Sequence, residues 1–473
     1  MTDAVVVGSG PNGLAGAVAL ARQGMRVTVL EAESEIGGGA RSTELTEPGL
    51  LHDQCSAVHP FACGSPFLRA LELERFGVEW LWPEIDLAHP LDSGGVGVLM
   101  RSIDETARGL GVDGRAWRRV FEGPSRAFDA LAEDLLRPAM HVPRHPVTLA
   151  RFGMRALPPA TALARLWRTD EARALFAGIA AHAFYPLNRP LTSAIGVMLT
   201  AAGHRYGWPV ARGGSQTIVD ALVAVLKESG GVVVTGRRVS SYDDLPPAEV
   251  VLLDVSPTAA AEILGDRLPA RVRRAYTRYR YGPGAYKVDL AVEGGVPWRN
   301  ELCRRAGTIH VGGTIEEIDH AERQIHKGIM PERPFVLVAQ QYLADPRRSA
   351  GDIHPVWTYA HVPHGYRGDA TEAVLRQVER FAPGLRERIV GMFVRSTTEM
   401  PRYNTNYVGG DIATGANSPV QAVMRPRMAV DPYMTGVPGV YLCSAATPPG
   451  PGVHGMCGFN AAHAALRRYR RDV

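Results

Sequence analysis

The chain has 473 residues, long enough for two to three domains with large buried cores. Its 45% hydrophobic and 21% charged residues are ordinary for a globular protein, and a net charge of +4 on this length argues against a nucleic-acid partner. Five scattered cysteines, with no C-x-x-C pair and no metal-ligand spacing, argue against a disulfide framework or a metal centre and for unpaired thiols in a reducing compartment.

The first element begins almost at once. Val5, Val6 and Val7 form a short β-branched run that predicts a buried parallel strand. Gly8, Gly10 and Gly13 follow as G-x-G-x-x-G, with Pro11 and Asn12 between the last two. Residues 14–23 are apolar and Ala-rich and end at Gly24, which predicts a helix with a glycine stop. Residues 26–30 predict a second strand, with Glu31 at its carboxyl end, 23 residues after Gly8. The first glycine makes the tight turn, the second admits a pyrophosphate, and the third lets helix pack on strand. The helix end offers unpaired N–H groups to phosphate, and an acid about 20 residues on accepts from ribose hydroxyls. A lone glycine motif is weak; strand, helix, strand and acid in register make a dinucleotide cradle the reading. So early a strand leads to the expectation that no signal peptide precedes it and that the protein is cytoplasmic.

After a short polar loop come Gly37, Gly38, Gly39, Ala40, Arg41 and Ser42. This run resembles the second glycine box of the FAD flavoproteins that include phytoene desaturase and the flavin amine oxidases. In that superfamily the Arg and the small residues run along the FAD pyrophosphate and ribityl chain. Dehydrogenases that use only NAD do not usually carry such a box, so the resemblance implies FAD.

Residues 43–66 are polar and turn-rich, and from 67 to about 200 the pattern is mostly helical. Residues 137–168 contain six arginines and no acid, interleaved with Leu, Phe, Met and Trp. They read as an interfacial membrane contact or an entry gate for a greasy substrate, or else as plain solvated helix faces interrupted by Pro158 and Pro159. No transmembrane helix is evident, because the longest charge-poor run is broken by glycines and prolines. Residues 217–227 predict an amphipathic helix, 232–235 and 250–255 further strands of the parallel sheet, and 285–292 a half-buried alternating strand. Strands at 335–339 and 356–361 and a helix at 371–381 follow. Near the C-terminus, Gly450, Gly452 and Gly455 again fit G-x-G-x-x-G, but three residues separate them from the preceding strand and no later strand or acid follows. We read Gly452 and Val453 instead as bringing backbone N–H groups and a helix end to the flavin.

Taken along its whole length the chain resembles the phytoene desaturase-type flavoproteins, in the branch named for a pyridine-nucleotide-disulfide-oxidoreductase-like domain. The stretches HDQCSAVHP, GWPVARGGSQ, GAYKVDLAV followed by PW, NTNYVGGD and PGPGVHGMCGFNAA carry it. The resemblance implies an α/β fold with a discontinuous Rossmann-like FAD-binding domain (residues 1–66, 203–284 and 409–473) and a sheet-plus-helix substrate domain (67–202 and 285–408). It implies cofactor contacts from Gly8, Gly10, Pro11, Asn12, Gly13, Glu31, Ala32, Gly38, Gly39, Ala40, Arg41, Ser42, Val239, Gly452 and Val453. One departure stands out: Cys443-Ser444-Ala445-Ala446 replaces the Gly-Asp that ends the last strand in many relatives.

Lys287, one of three lysines among 52 basic residues, resembles the amine-oxidase lysine that reaches flavin N5 through a water; the alternative is a strand-edge cation. His454 and His59 are candidate proton relays or structural imidazoles. Tyr403, Asn404 and Tyr407 line the pocket floor or simply pack a turn. The implied activity is oxidation or desaturation of a lipophilic small molecule by hydride transfer to flavin N5, electrons passing to oxygen or a quinone. An amine oxidase is the competing reading, weakened because residues 447–456 contain no aromatic ring for a flavin cage. A redox-neutral flavin isomerase and a non-catalytic flavin scaffold are the others.

Overall fold

The structure, a computed structural model, describes residues 3–472. Five parallel strands form one sheet, in the order Val440–Leu442, Val250–Leu253, Ala4–Val7, Val27–Leu30, Val232–Val234. Ala4–Val7 is buried on both faces, as a central parallel strand must be. Its register pairs Val7 with Leu30 on one side and Leu253 on the other. Gly8, Glu31 and Asp254 therefore leave the sheet side by side, where the chain order reverses and α/β sheets bind their ligands. The fold is α/β and Rossmann-like, as the sequence implied.

Helix Pro11–Ala21 covers one face and is almost wholly buried, against helices Gln216–Glu228 and Met456–Asp472. The last crossing is tight enough to demand glycine. A Cβ on Gly458 would overlap the Asn12 carbonyl, and one on Gly16 would lie 3.3 Å from the Gly458 carbonyl. This contact seats the C-terminal helix directly behind the N-terminal glycine loop.

A second, mixed sheet has seven strands in the order Ile389–Arg395, Gly284–Glu293, Ile353–Val362, Val336–Ala339, Ala306–Val311, Ile85–Pro90, Val96–Leu99. Residues 67–200 are mostly helical, as expected, but the stretch also contributes a hairpin, Ile85–Pro90 and Val96–Leu99, that extends the sheet. Gly284–Glu293 also differs from expectation. It is buried from Gly284 through Val292, because it lies between two neighbouring strands and both its faces are covered.

The Gly458 crossing predicts that Gly458→Ala costs about 1–3 kcal/mol, the usual range for overpacking. Thermal unfolding checks it, with Gly109→Ala as an open-space comparison, since nothing lies within 4 Å of a Cβ there and its φ is not in the left-handed region.

Candidate functional site

A cavity of about 650 Å³ opens over the carboxyl ends of the parallel strands and runs on beneath the mixed sheet. One end is the glycine loop. Gly8 has a φ of +98°, and a Cβ on Gly13 would collide with the Gly8 carbonyl, so only glycine lets the loop fold this tightly. Gly10 precedes helix Pro11–Ala21 without a side chain to cap it, and the Gly13 amide donates instead to Asp254 Oδ2 at 2.9 Å. Glu31 is already organised: Ser9 donates to Oε2 from its backbone at 2.8 Å and its hydroxyl at 2.5 Å, and the Glu33 amide donates to Oε1 at 3.0 Å.

Ala32 and Val239 line the same end, with Arg238 beside them. Gly8, Gly10, Pro11, Asn12, Gly38, Gly39 and Arg41 continue the wall. Asn12 keeps a buried Oδ1 with no partner. Glycine is required twice more here: a Cβ on Gly38 would stand 3.1 Å from Gly10 Cα, and one on Gly39 would strike the Tyr407 hydroxyl. Arg41 donates from Nε to the Gly38 carbonyl at 3.0 Å and from Nη2 to the Tyr403 carbonyl at 2.6 Å. The Tyr403 ring lies between two guanidinium groups, Arg41 at 4.3 Å and Arg395 at 4.2 Å. Gly13, Ala40 and Ser42 stand behind the wall, Ser42 donating to Asp53 at 2.6 Å.

Gly452, Val453 and His454 form the opposite lip, ahead of helix Met456–Asp472, and Tyr403, Asn404 and Tyr407 line the floor. The His454 Nδ1 accepts from the Met456 amide at 3.0 Å. His59 also faces the cavity, its Nε2 2.7 Å from the Ser215 hydroxyl. Burial drives both imidazoles down to about 4, so each is neutral at neutral pH.

The far end is apolar and aromatic, with Phe184, Ile195, Met198, Trp208, Leu337, Trp357 and Tyr359. His182 is there too, 3.1 Å from His310 between their Nε2 atoms, and burial pushes it down to about 3. The acids of the wall, Glu31, Glu33, Asp254 and Glu262, all belong to the glycine-loop end.

Lys287 is not in the cavity wall. Its strand is central, so it is not a strand-edge cation either. The ammonium is buried, ion-paired with Asp289, and 5.1 Å from the centre of the Trp357 ring. His52 Nδ1 lies 3.6 Å from the same carboxylate. Burial lowers the Lys287 pKa more than the Asp289 charge raises it. The lysine thus lies one side chain behind the cavity.

The aromatic end was invisible in the sequence because it is assembled from distant segments with no shared motif. Asp254 could have been singled out, since it ends the strand next to the glycine loop.

Residues 6–71 match the family described as NAD(P)-binding Rossmann-like domain. The chain is 24% identical to the mouse pyridine nucleotide-disulfide oxidoreductase domain-containing protein 2, over 98% of this chain and 93% of that one. Among solved structures it resembles an oxidoreductase from Methanosarcina mazei (TM-score 0.63, 17% identity, covering 98% of this chain and 100% of that one). It also resembles cyclohexylamine oxidase from Brevibacterium oxydans (TM-score 0.58, 18% identity, 99% and 100%). These are likenesses of fold.

Removing one partner of a buried ion pair strands the other charge. Lys287→Met is expected to lower unfolding stability by about 3–5 kcal/mol, and adding Asp289→Leu to restore most of it. Denaturant titration of both variants checks this.

Proposed function

We propose that this chain is an FAD-dependent oxidoreductase that oxidises or desaturates a lipophilic small molecule. One observation carries the reading: a single cavity joins a glycine-lined dinucleotide cradle to an aromatic chamber whose walls hold no acid among the described residues. Its volume falls within the roughly 300–1,000 Å³ of cofactor and ligand sites. The residues present fit FAD: the cradle is built of glycines that any Cβ would fill, and Asn12 offers an unpaired acceptor.

Glu31 would hold the ribose, the Gly8–Gly13 loop the pyrophosphate, and Arg41 would lie along it. Gly452 and Val453 would meet the flavin end. When bound, FAD supplies the acceptor for hydride, with electrons passing on to oxygen or a quinone. The chain's own part is to orient the substrate and exclude water, which Phe184, Trp208, Trp357 and Tyr359 do with apolar surface. Neutral His59 and His454 present no cation there. A chamber without a carboxylate is poorly made for an alkylammonium ion, which sets the lipophilic reading ahead of an amine oxidase.

Residues 137–168 fit an approach from a lipid surface. Leu135 and Leu136 line the cavity, and the chain next exposes Val142, Val147, Met154 and Leu157 among its arginines. The segment is broken into helices Pro146–Ala156 and Ala160–Leu163, so it would lie on a surface. Among the described residues no helix is long and apolar enough to cross a membrane.

The protein as purified is expected to be yellow, with one FAD per chain released on denaturation. Glu31→Arg is expected to yield a folded, colourless protein. A colourless wild type sinks the reading; anaerobic bleaching by alkylamines but not by alkenes or lipid extracts would turn it toward amine oxidation.

Co-sedimentation with anionic vesicles is expected at low salt, falling as ionic strength rises. Replacing Arg144, Arg151 and Arg165 by Gln should abolish it; vesicle binding unchanged in that variant would detach the segment from the membrane.

A further inference from the structure

Asp254 ends the strand Val250–Leu253 and faces the glycine loop across the reversal of strand order. All three glycines of the loop close on it. A Cβ on Gly8 would lie 3.2 Å from the Asp254 Cβ, and Cβ atoms on Gly10 and Gly13 would lie 2.8 Å and 3.0 Å from its Oδ2. The Gly13 amide donates to that Oδ2 at 2.9 Å. Since Gly10 brings no side chain, the cap of helix Pro11–Ala21 comes from another strand altogether. The backbone on either side is fixed: the Asp254 amide donates to the Val7 carbonyl at 2.8 Å, and its carbonyl accepts from Asn406 Nδ2 at 3.0 Å. The side chain, held by the Gly13 amide, lines the cavity.

A carboxylate thus occupies the helix end where a pyrophosphate would sit. We propose that Asp254 is a proton-linked latch on the cofactor, protonated when the dinucleotide is held, so that binding takes up a proton and rising pH releases it. The inference rests on the FAD reading above and adds a determinant of how tightly the cofactor is kept.

Apart from the Gly13 amide, no group facing Asp254 stabilises its charge. Glu31, from the second strand, is a like charge; Cys443 and Cys457, from the last strand and helix, are buried thiols pushed up by burial; Asn406 is neutral. Burial chiefly, then Glu31, raise the carboxyl to about 7 against the pull of the Gly13 amide. Below that value the carboxyl is neutral with or without cofactor, and affinity is flat. Above it the free protein is ionised, and an entering dianion must bring a proton with it, so affinity falls by up to about tenfold per pH unit.

Release of FAD from the loaded, full-length protein, read as recovered flavin fluorescence after dilution at pH 6 to 9, tests this. The dissociation constant of the wild type is expected to rise on the order of tenfold from pH 7 to 8.5. Asp254→Asn keeps an oxygen for the Gly13 amide and is expected to be flat. Independently of any variant, calorimetric rebinding at pH 8 in two buffers of different ionisation heat should show uptake of close to one proton per FAD. No proton uptake by the wild type, or the same slope in Asp254→Asn, overturns the latch. Failure to bind FAD at every pH overturns the FAD reading, and the latch with it.

Discussion

The buried ion pair between Asp53 and Arg348 holds the site's parts in place. Both side chains are sealed from solvent, with Arg348 Nη1 2.6 Å from Asp53 Oδ2. Burial alone pushes the Asp53 carboxyl up, but the Arg348 charge and hydrogen bonds from Ser215 and Ser42 more than reverse it, so the group is held below its ordinary value. Each bond reaches a different part of the chain. Ser42 closes the hairpin Ser42–Glu44/Leu51–Asp53 that leaves the second glycine box, and Ser215 starts the helix that packs under the parallel sheet. Gln341 and Arg348 belong to the segment after strand Val336–Ala339 of the mixed sheet. Ser215 also holds His59 in the cavity wall. A buried charge this far from water is tolerable only with every partner in place, so the pair fixes the two sheets relative to one cavity.

Polarity along that cavity follows from the backbone. At the parallel sheet, strand ends and a helix N-terminus present bare N–H groups, and acids collect where they can accept from them: Glu31 from Ser9 and Glu33, Asp254 from Gly13. At the mixed sheet the wall is side chain, because backbone amides are spent in the ladder between strands. What remains to face the cavity is Trp357, Tyr359 and Leu337. One end therefore suits phosphate and sugar, and the other excludes water.

Behind the aromatic wall lies a second polar cluster. Lys287, Asp289 and His52 are all buried, and Asp289 Oδ2 and His52 Nδ1 have no hydrogen-bond partner. Cys55, which does line the cavity, senses the charges of both Lys287 and Asp289. Lys287 lies 5.1 Å from the centre of the Trp357 ring, directly behind that wall.

Much was legible from residues alone wherever function is carried by a local backbone shape. Gly8, Gly10, Gly13 and Glu31 announced a dinucleotide cradle because turn, helix end and acid are consecutive, and backbone geometry at glycine is dictated within a few residues. Gly452 and Val453, read in the same way, line the opposite lip of the cavity. Periodicity failed where both faces of a strand are covered, as at Gly284–Val292, because burial there depends on what is packed against it. It failed also for Ile85–Pro90, which besides its local hairpin partner Val96–Leu99 pairs with Ala306–Val311, more than 200 residues away. By itself the sequence determined the cradle and the order of its elements, since those follow from local sterics. Only the tertiary structure decided that Lys287 is shielded behind Trp357, that His182 joins the aromatic end, and that Asp254 caps a helix from another strand. Those are contacts between segments far apart in the chain, set by packing rather than by spacing.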